Sequence, residues 1–171
     1  MTTLQQSRKA IQNFSDRYRY DMSYQTELLD SSPEAFEVFG RAQGTSGHRK
    51  ALPLDAHYVA RVAMMQAEDC GDCIQVNLRM AVEAGVERDL LLTLLDHPDR
   101  LAPELRDVRD HAFDVSTKTT PDKDRVARLR DVYGRDGFAE LSVCLAGCRL
   151  FTTVKRSLGK ANPREIDARD F

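Results

Sequence analysis

A chain of 171 residues suits one domain with a useful core and leaves little room for two. Acidic and basic side chains, 27 and 25, nearly balance to a net charge of −2 and interleave along the chain. That argues against nucleic acid as a partner, which needs a concentrated basic surface.

The opening Met1-Thr2-Thr3-Leu4-Gln5-Gln6 lacks the basic-then-apolar order of a secretory signal. The longest apolar run, Leu90 to Leu95 broken by Thr93, is too short to span a bilayer. The expected setting is therefore cytoplasmic, with no membrane contact. There, four cysteines read as reduced, catalytic, metal-binding or buried, and not as a disulfide framework.

The pattern is helical from end to end. Residues from about Leu4 to Leu29 suggest one or two helices with weak periodicity, an N-terminal extension to the main body. Ser32-Pro33-Glu34 reads as an N-cap followed by proline at the first helical position, and the helix it opens is expected to die in Gln43-Gly44-Thr45-Ser46-Gly47. Pro53 opens the next helix, on which Leu54, Tyr58, Val62 and Met65 form one inward stripe.

After a break at Glu68-Asp69, Cys70-Gly71-Asp72-Cys73 begins a helix that Gly85 ends. A short apolar helix, Val86 to Leu95, stops at Asp96-His97-Pro98-Asp99. Leu101, Leu105, Val108, Ala112 and Val115 make another stripe. Beyond Pro121 comes a short helix around Arg125 to Tyr133, then the longest, from about Asp136 to Leu158, with Phe138, Leu141, Leu145, Cys148 and Phe151 inward. No alternating strand pattern survives, so the expectation is a single all-α domain.

The CxxC carries the chemistry. Two thiols at a helix start can attack, release and re-form a disulfide, because the helix N-terminus and the second sulfur favour the thiolate. Cys70, Cys73 and Asn77 share one helical stripe. Glu68, Asp69 and Asp72 crowd these thiols and oppose the helix dipole, with Arg61 and Arg79 as possible counter-charges.

Cys144 and Cys148 stand one turn apart, their Cβ atoms about 5–6 Å from each other, whereas a disulfide wants about 3.8 Å. They read as buried packing. A four-thiolate zinc site with Cys70 and Cys73 is the sharper alternative, set back by the apolar company of the second pair. His48, His97 and His111 are scattered, and His57 alone is close in sequence to the CxxC.

From Leu54 to Val86 the chain resembles the carboxymuconolactone decarboxylase family, and within it the alkylhydroperoxidase AhpD-like proteins. The shared pattern is an amphipathic helix, then CxxC opening a second helix that ends Ala84-Gly85-Val86. Ser32-Pro33 and the stretch Phe138 to Gly159 extend the likeness more weakly. The resemblance implies an all-α bundle, assembled as a homotrimer or homohexamer, without a cofactor. It also implies a peroxidase or disulfide reductase in which Cys73 attacks the peroxide, Cys70 resolves the sulfenic acid, and a thiol reductant restores the pair.

The family pattern further wants a glutamate twelve residues before the first cysteine and a histidine four after the second. Tyr58 and Asn77 stand there instead. Tyr58, with an ordinary pKa of about 10, is a poor base, and Asn77 cannot titrate. His57 is about 100° around the helix from the glutamate position, on the side of Arg61 and Glu68. General acid–base help is typically worth about 10²–10⁴-fold, so its loss implies slow thiol chemistry.

Two other readings remain open: a non-catalytic oligomeric scaffold with a vestigial CxxC, and a small-molecule or metal binder using His57, Glu68 and the thiols.

Overall fold

A computed structural model describes residues 3–118, 120–161 and 170–171; Met1, Thr2, Thr119 and 162–169 lie outside the description. Among the described residues, eight α-helices make one all-α domain: α1 Thr3–Tyr18, α2 Ser23–Ser31, α3 Pro33–Gly47, α4 Leu54–Ala67, α5 Gly71–Ala84, α6 Arg88–Asp96, α7 Pro103–Thr117 and α8 Lys123–Ser157. A 3-10 turn, Pro98–Arg100, joins α6 to α7. No strand occurs among the described residues.

Local chemistry explains the boundaries. The Ser32 hydroxyl accepts the Ala35 amide at 3.2 Å, and Pro33 supplies a pre-set first φ. Gly85, at φ 98°, takes the left-handed turn that stops α5, and the Val86 amide donates back to the Ala81 carbonyl. The same device ends α4 with a less obvious residue. Asp69 holds φ 49° while its amide bonds Gln66 and that of Cys70 bonds Met65, at 3.0 and 3.1 Å. This Schellman turn delivers the chain directly from α4 into the CxxC.

α4 sits at the centre, packed on α5, α7 and α8, while α3 runs along α8. Every α4 residue from Ala56 to Met65 is buried. The expected single stripe is therefore a helix covered all round, because α7 and α8 close over the face that Tyr58 and Val62 leave open.

The glycine-rich stretch from Gln43 to Gly47 is also helical, as the last turn of α3. Small residues there let α3 approach α8, where Gly147 lies against Thr45 and Ser46. The Thr45 and Ser46 hydroxyls donate to the Ala42 and Gln43 carbonyls. Tertiary contact has overridden a weak propensity.

α8 contains both of the last two expected helices, bent at Gly134, which holds φ 67°. By length and composition α8 is also apolar enough to cross a membrane, an 18-residue stretch reaching a mean hydropathy of 1.3. Counting unbroken apolar runs misses this, because Glu140 and Arg149 interrupt the stretch. In the fold α8 packs against α3, α4 and α7. The Glu140 carboxylate accepts the backbone amides of Lys50, Ala51 and Leu52 at 2.8–2.9 Å and so ties the α3–α4 connection down.

Candidate functional site

Cys70 and Cys73 form a disulfide, their Cα atoms 5.2 Å apart. Cys70 is the N-cap residue of α5 and Cys73 lies in its first turn. Both are buried, 3 % and 2 % exposed. The positive end of α5 therefore faces the sulfurs inside the protein, where little water screens it.

The polar partner of the Cys73 sulfur comes from far away in the chain. The Tyr20 hydroxyl, in the connection between α1 and α2, lies 3.6 Å from Cys73 Sγ. It accepts a hydrogen bond from Lys155 Nζ at 3.3 Å. Lys155, 1 % exposed, stands over the Tyr20 and Tyr24 rings at 4.8 and 5.5 Å and reaches Asp72 Oδ2 at 3.9 Å. Burial, then the neighbouring Tyr24, keep the Tyr20 phenol protonated well above its ordinary range. Burial pushes Tyr24 up to about 12. Tyr20 can therefore donate to a Cys73 thiolate while Lys155 polarises it from behind.

α8 also supplies counter-charges to Glu68 and Asp72 beside the motif. Glu68, 4 % exposed, accepts from Ser116 at 2.7 Å and Arg156 at 2.6 Å, and pairs with Arg149 at 3.2 Å. Burial alone would raise its pKa; the Ser116 and Arg156 hydrogen bonds and the two arginine charges hold it below the ordinary value. The counter-charges are thus Arg149, Arg156 and Lys155. Arg79 instead binds Asp170 and the Tyr18 carbonyl, and Arg61 binds Asn77.

The other candidates from the sequence take distinct places. Asn77 accepts from Arg61 Nε and donates to the Cys73 carbonyl, both at 2.7 Å. Tyr58 packs its ring near the Arg61 guanidinium, 5.4 Å away, and edge-on to His57 at 5.2 Å. Burial raises the Tyr58 pKa. His57 is 3 % exposed with no hydrogen-bond partner for Nδ1, and burial followed by Arg61 lowers its pKa to about 4. It is a neutral core imidazole.

Cys144 and Cys148 are free, buried thiols. The hydrogen bond with Cys148, together with burial, pushes the Cys144 thiol up, and Cys144 donates to the Ser46 carbonyl at 3.5 Å. Among the described residues no group of three or more His, Cys, Asp and Glu side chains is placed to hold a metal ion. His57, Glu68 and the thiols do not converge: Glu68 turns to Ser116 and Arg156, and His57 to Tyr58.

A cavity of about 520 Å³ opens beside the disulfide. Cys73, Cys148, Asn77 and Arg61 line its polar part, and Phe14 and Phe151 belong to its apolar wall. Tyr58 and Cys70 are not among the lining residues.

Tyr20 and Lys155 are the site residues that sequence reasoning missed. Lys155 carries a signal: it follows Cys148 by seven residues and Phe151 by four, on the buried stripe of α8. A lysine there must have a buried partner. Tyr20 carries none, since no periodicity marks its connection. Comparison with family models, curated proteins and solved structures finds no match to this chain.

Proposed function

We propose that this chain is an AhpD-like thiol–disulfide protein, a weak or atypical peroxidase or disulfide reductase acting through Cys73 and Cys70. The observation that carries the reading is the contact of a buried Cys70–Cys73 disulfide at the start of α5 with the Tyr20 hydroxyl, itself held by Lys155. These two residues supply hydrogen bonding and positive charge beside Cys73, whereas Tyr58 and Asn77 stand where the resembled pattern has its glutamate and histidine.

In the reduced protein the Cys73 thiolate attacks the outer oxygen of a hydroperoxide, breaking O–O. The products are a Cys73 sulfenic acid and an alkoxide, which takes up a proton to leave as the alcohol. The Cys70 thiol then attacks the sulfenic sulfur, forming S–S and releasing water. Two electrons from an external dithiol return both sulfurs to thiols. The α5 N-terminus, the Tyr20 hydroxyl and the Lys155 charge all favour the thiolate in the first step. The resemblance brings with it a homotrimer or homohexamer, and the reading keeps the cytoplasmic setting expected from the sequence.

The test is mass spectrometry of the reduced protein before and after one equivalent of peroxide. Wild type loses two hydrogens as Cys70 and Cys73 pair, and Cys73→Ser does not. Thiols unchanged in the wild type would sink the reading. A second reading, a small-molecule binder with a dormant disulfide, is favoured by the cavity beside Cys73.

A further inference from the structure

The charge inside the cavity is one-sided. Of the described residues that line it, Arg61 alone is charged. Arg61 is 8 % exposed, and no carboxylate pairs with it among the described residues. Its partners are neutral: the Asn77 carboxamide at 2.7 Å, the Ser46 carbonyl at 3.4 Å and the Met80 sulfur at 3.8 Å.

These leave guanidinium donors unspent, and a buried cation without an anion is costly. A second donor on the same wall is also idle, for Gln43 Nε2 is buried with no hydrogen-bond partner. Every other buried ionic group described around the site, Glu68 and Lys155 included, has an opposite charge within 4 Å.

Most of the remaining wall is apolar, Ile11, Phe14, Phe36 and Phe151 among it, and its Ala10 and Gly40 are exposed at the rim. A volume of about 520 Å³ falls within the roughly 300–1,000 Å³ usual for small-molecule sites. We infer that the cavity binds an amphiphilic carboxylate, its head on Arg61 and Gln43 and a single hydrocarbon chain along the aromatic wall. The inference goes beyond the thiol–disulfide reading and does not require it. A bound chain would also cover Cys73, which lines the same space.

Calorimetric titration of the full chain with dodecanoate, dodecan-1-ol and dodecyltrimethylammonium tests it. Dodecanoate should saturate one site per chain, about tenfold or more tighter than the alcohol, with the ammonium weakest. Arg61→Gln should erase the preference for carboxylate over alcohol, Gln43→Leu should weaken carboxylate binding alone, and Gly40→Phe should weaken both.

The Gly40 position can take the bulk, because a Cβ there meets nothing within 4 Å. No saturable binding, or alcohol bound as tightly as carboxylate, would overturn the inference. Where Arg61→Gln fails to fold, the wild-type ranking decides. The peroxide assay reads disulfide formation and the titration reads carboxylate preference, both on the wild-type protein, so a failed peroxide assay and a failed titration are separate results.

Discussion

Tyr20 and Cys73 lie 53 positions apart in sequence, yet the phenolic oxygen of one stands 3.6 Å from the sulfur of the other. A hydrogen bond to a thiolate is worth about 1 kcal/mol or somewhat more, so Tyr20→Phe should raise the Cys73 pKa by about one unit. Titrating thiolate absorbance in the Cys70→Ser background reads this directly. An unchanged curve would reduce Tyr20 to a packing residue.

Lys155 is the buried charge behind that hydroxyl. Lys155→Met removes its contacts with Tyr20 and leaves the part-buried Asp72 without a cation among the described residues, which should cost about 1–3 kcal/mol in urea unfolding. Adding Asp72→Asn should restore part of the loss. If the double variant is worse by the full sum of two singles, Lys155 and Asp72 are not coupled.

His57 makes stability depend on pH in a definite window. Its pKa is about 4 in the fold against 6.5 ordinarily, so between those values the unfolded chain binds the extra proton. Stability is therefore complete above 6.5 and erodes by up to about 3 kcal/mol as pH falls towards 4. His111, lowered mainly by burial, acts in the same direction. The melting temperature of His57→Gln should fall less steeply than that of wild type across this window; parallel slopes would refute the assignment.

Gly147 sets how closely α3 and α8 can lie. A Cβ there would land on the Ser46 amide and the Thr45 hydroxyl, with Ser46 Cα 2.8 Å away. Gly147→Ala should thus cost about 1–3 kcal/mol, although alanine ordinarily stabilises a helix. A neutral or raised melting temperature would show that α3 yields without penalty.

Much of this molecule is written in local chemistry. Ser32-Pro33, Gly85 and the stripe from Leu101 to Val115 each encode a cap or a buried face within a few residues. The end of α3 and the full burial of α4 are not local, because each depends on what α7 and α8 do from elsewhere in the chain. The site divides the same way. Both cysteines and Asn77 are legible in one segment. The Tyr20–Lys155 pair exists only once the connection after α1 and the end of α8 meet.

The burial of both sulfurs turns the disulfide into a sieve with a preferred end. A bulky protein reductant finds neither atom at the surface, whereas a slender thiol entering the cavity meets Cys73 and not Cys70. Exchange should thus be regioselective. An apolar alkanethiol trapped on the oxidised protein should be found by peptide mapping on Cys73, with Cys70 as the leaving group. Its rate should outrun that of glutathione, which is bulkier and less suited to the apolar wall beside Cys73.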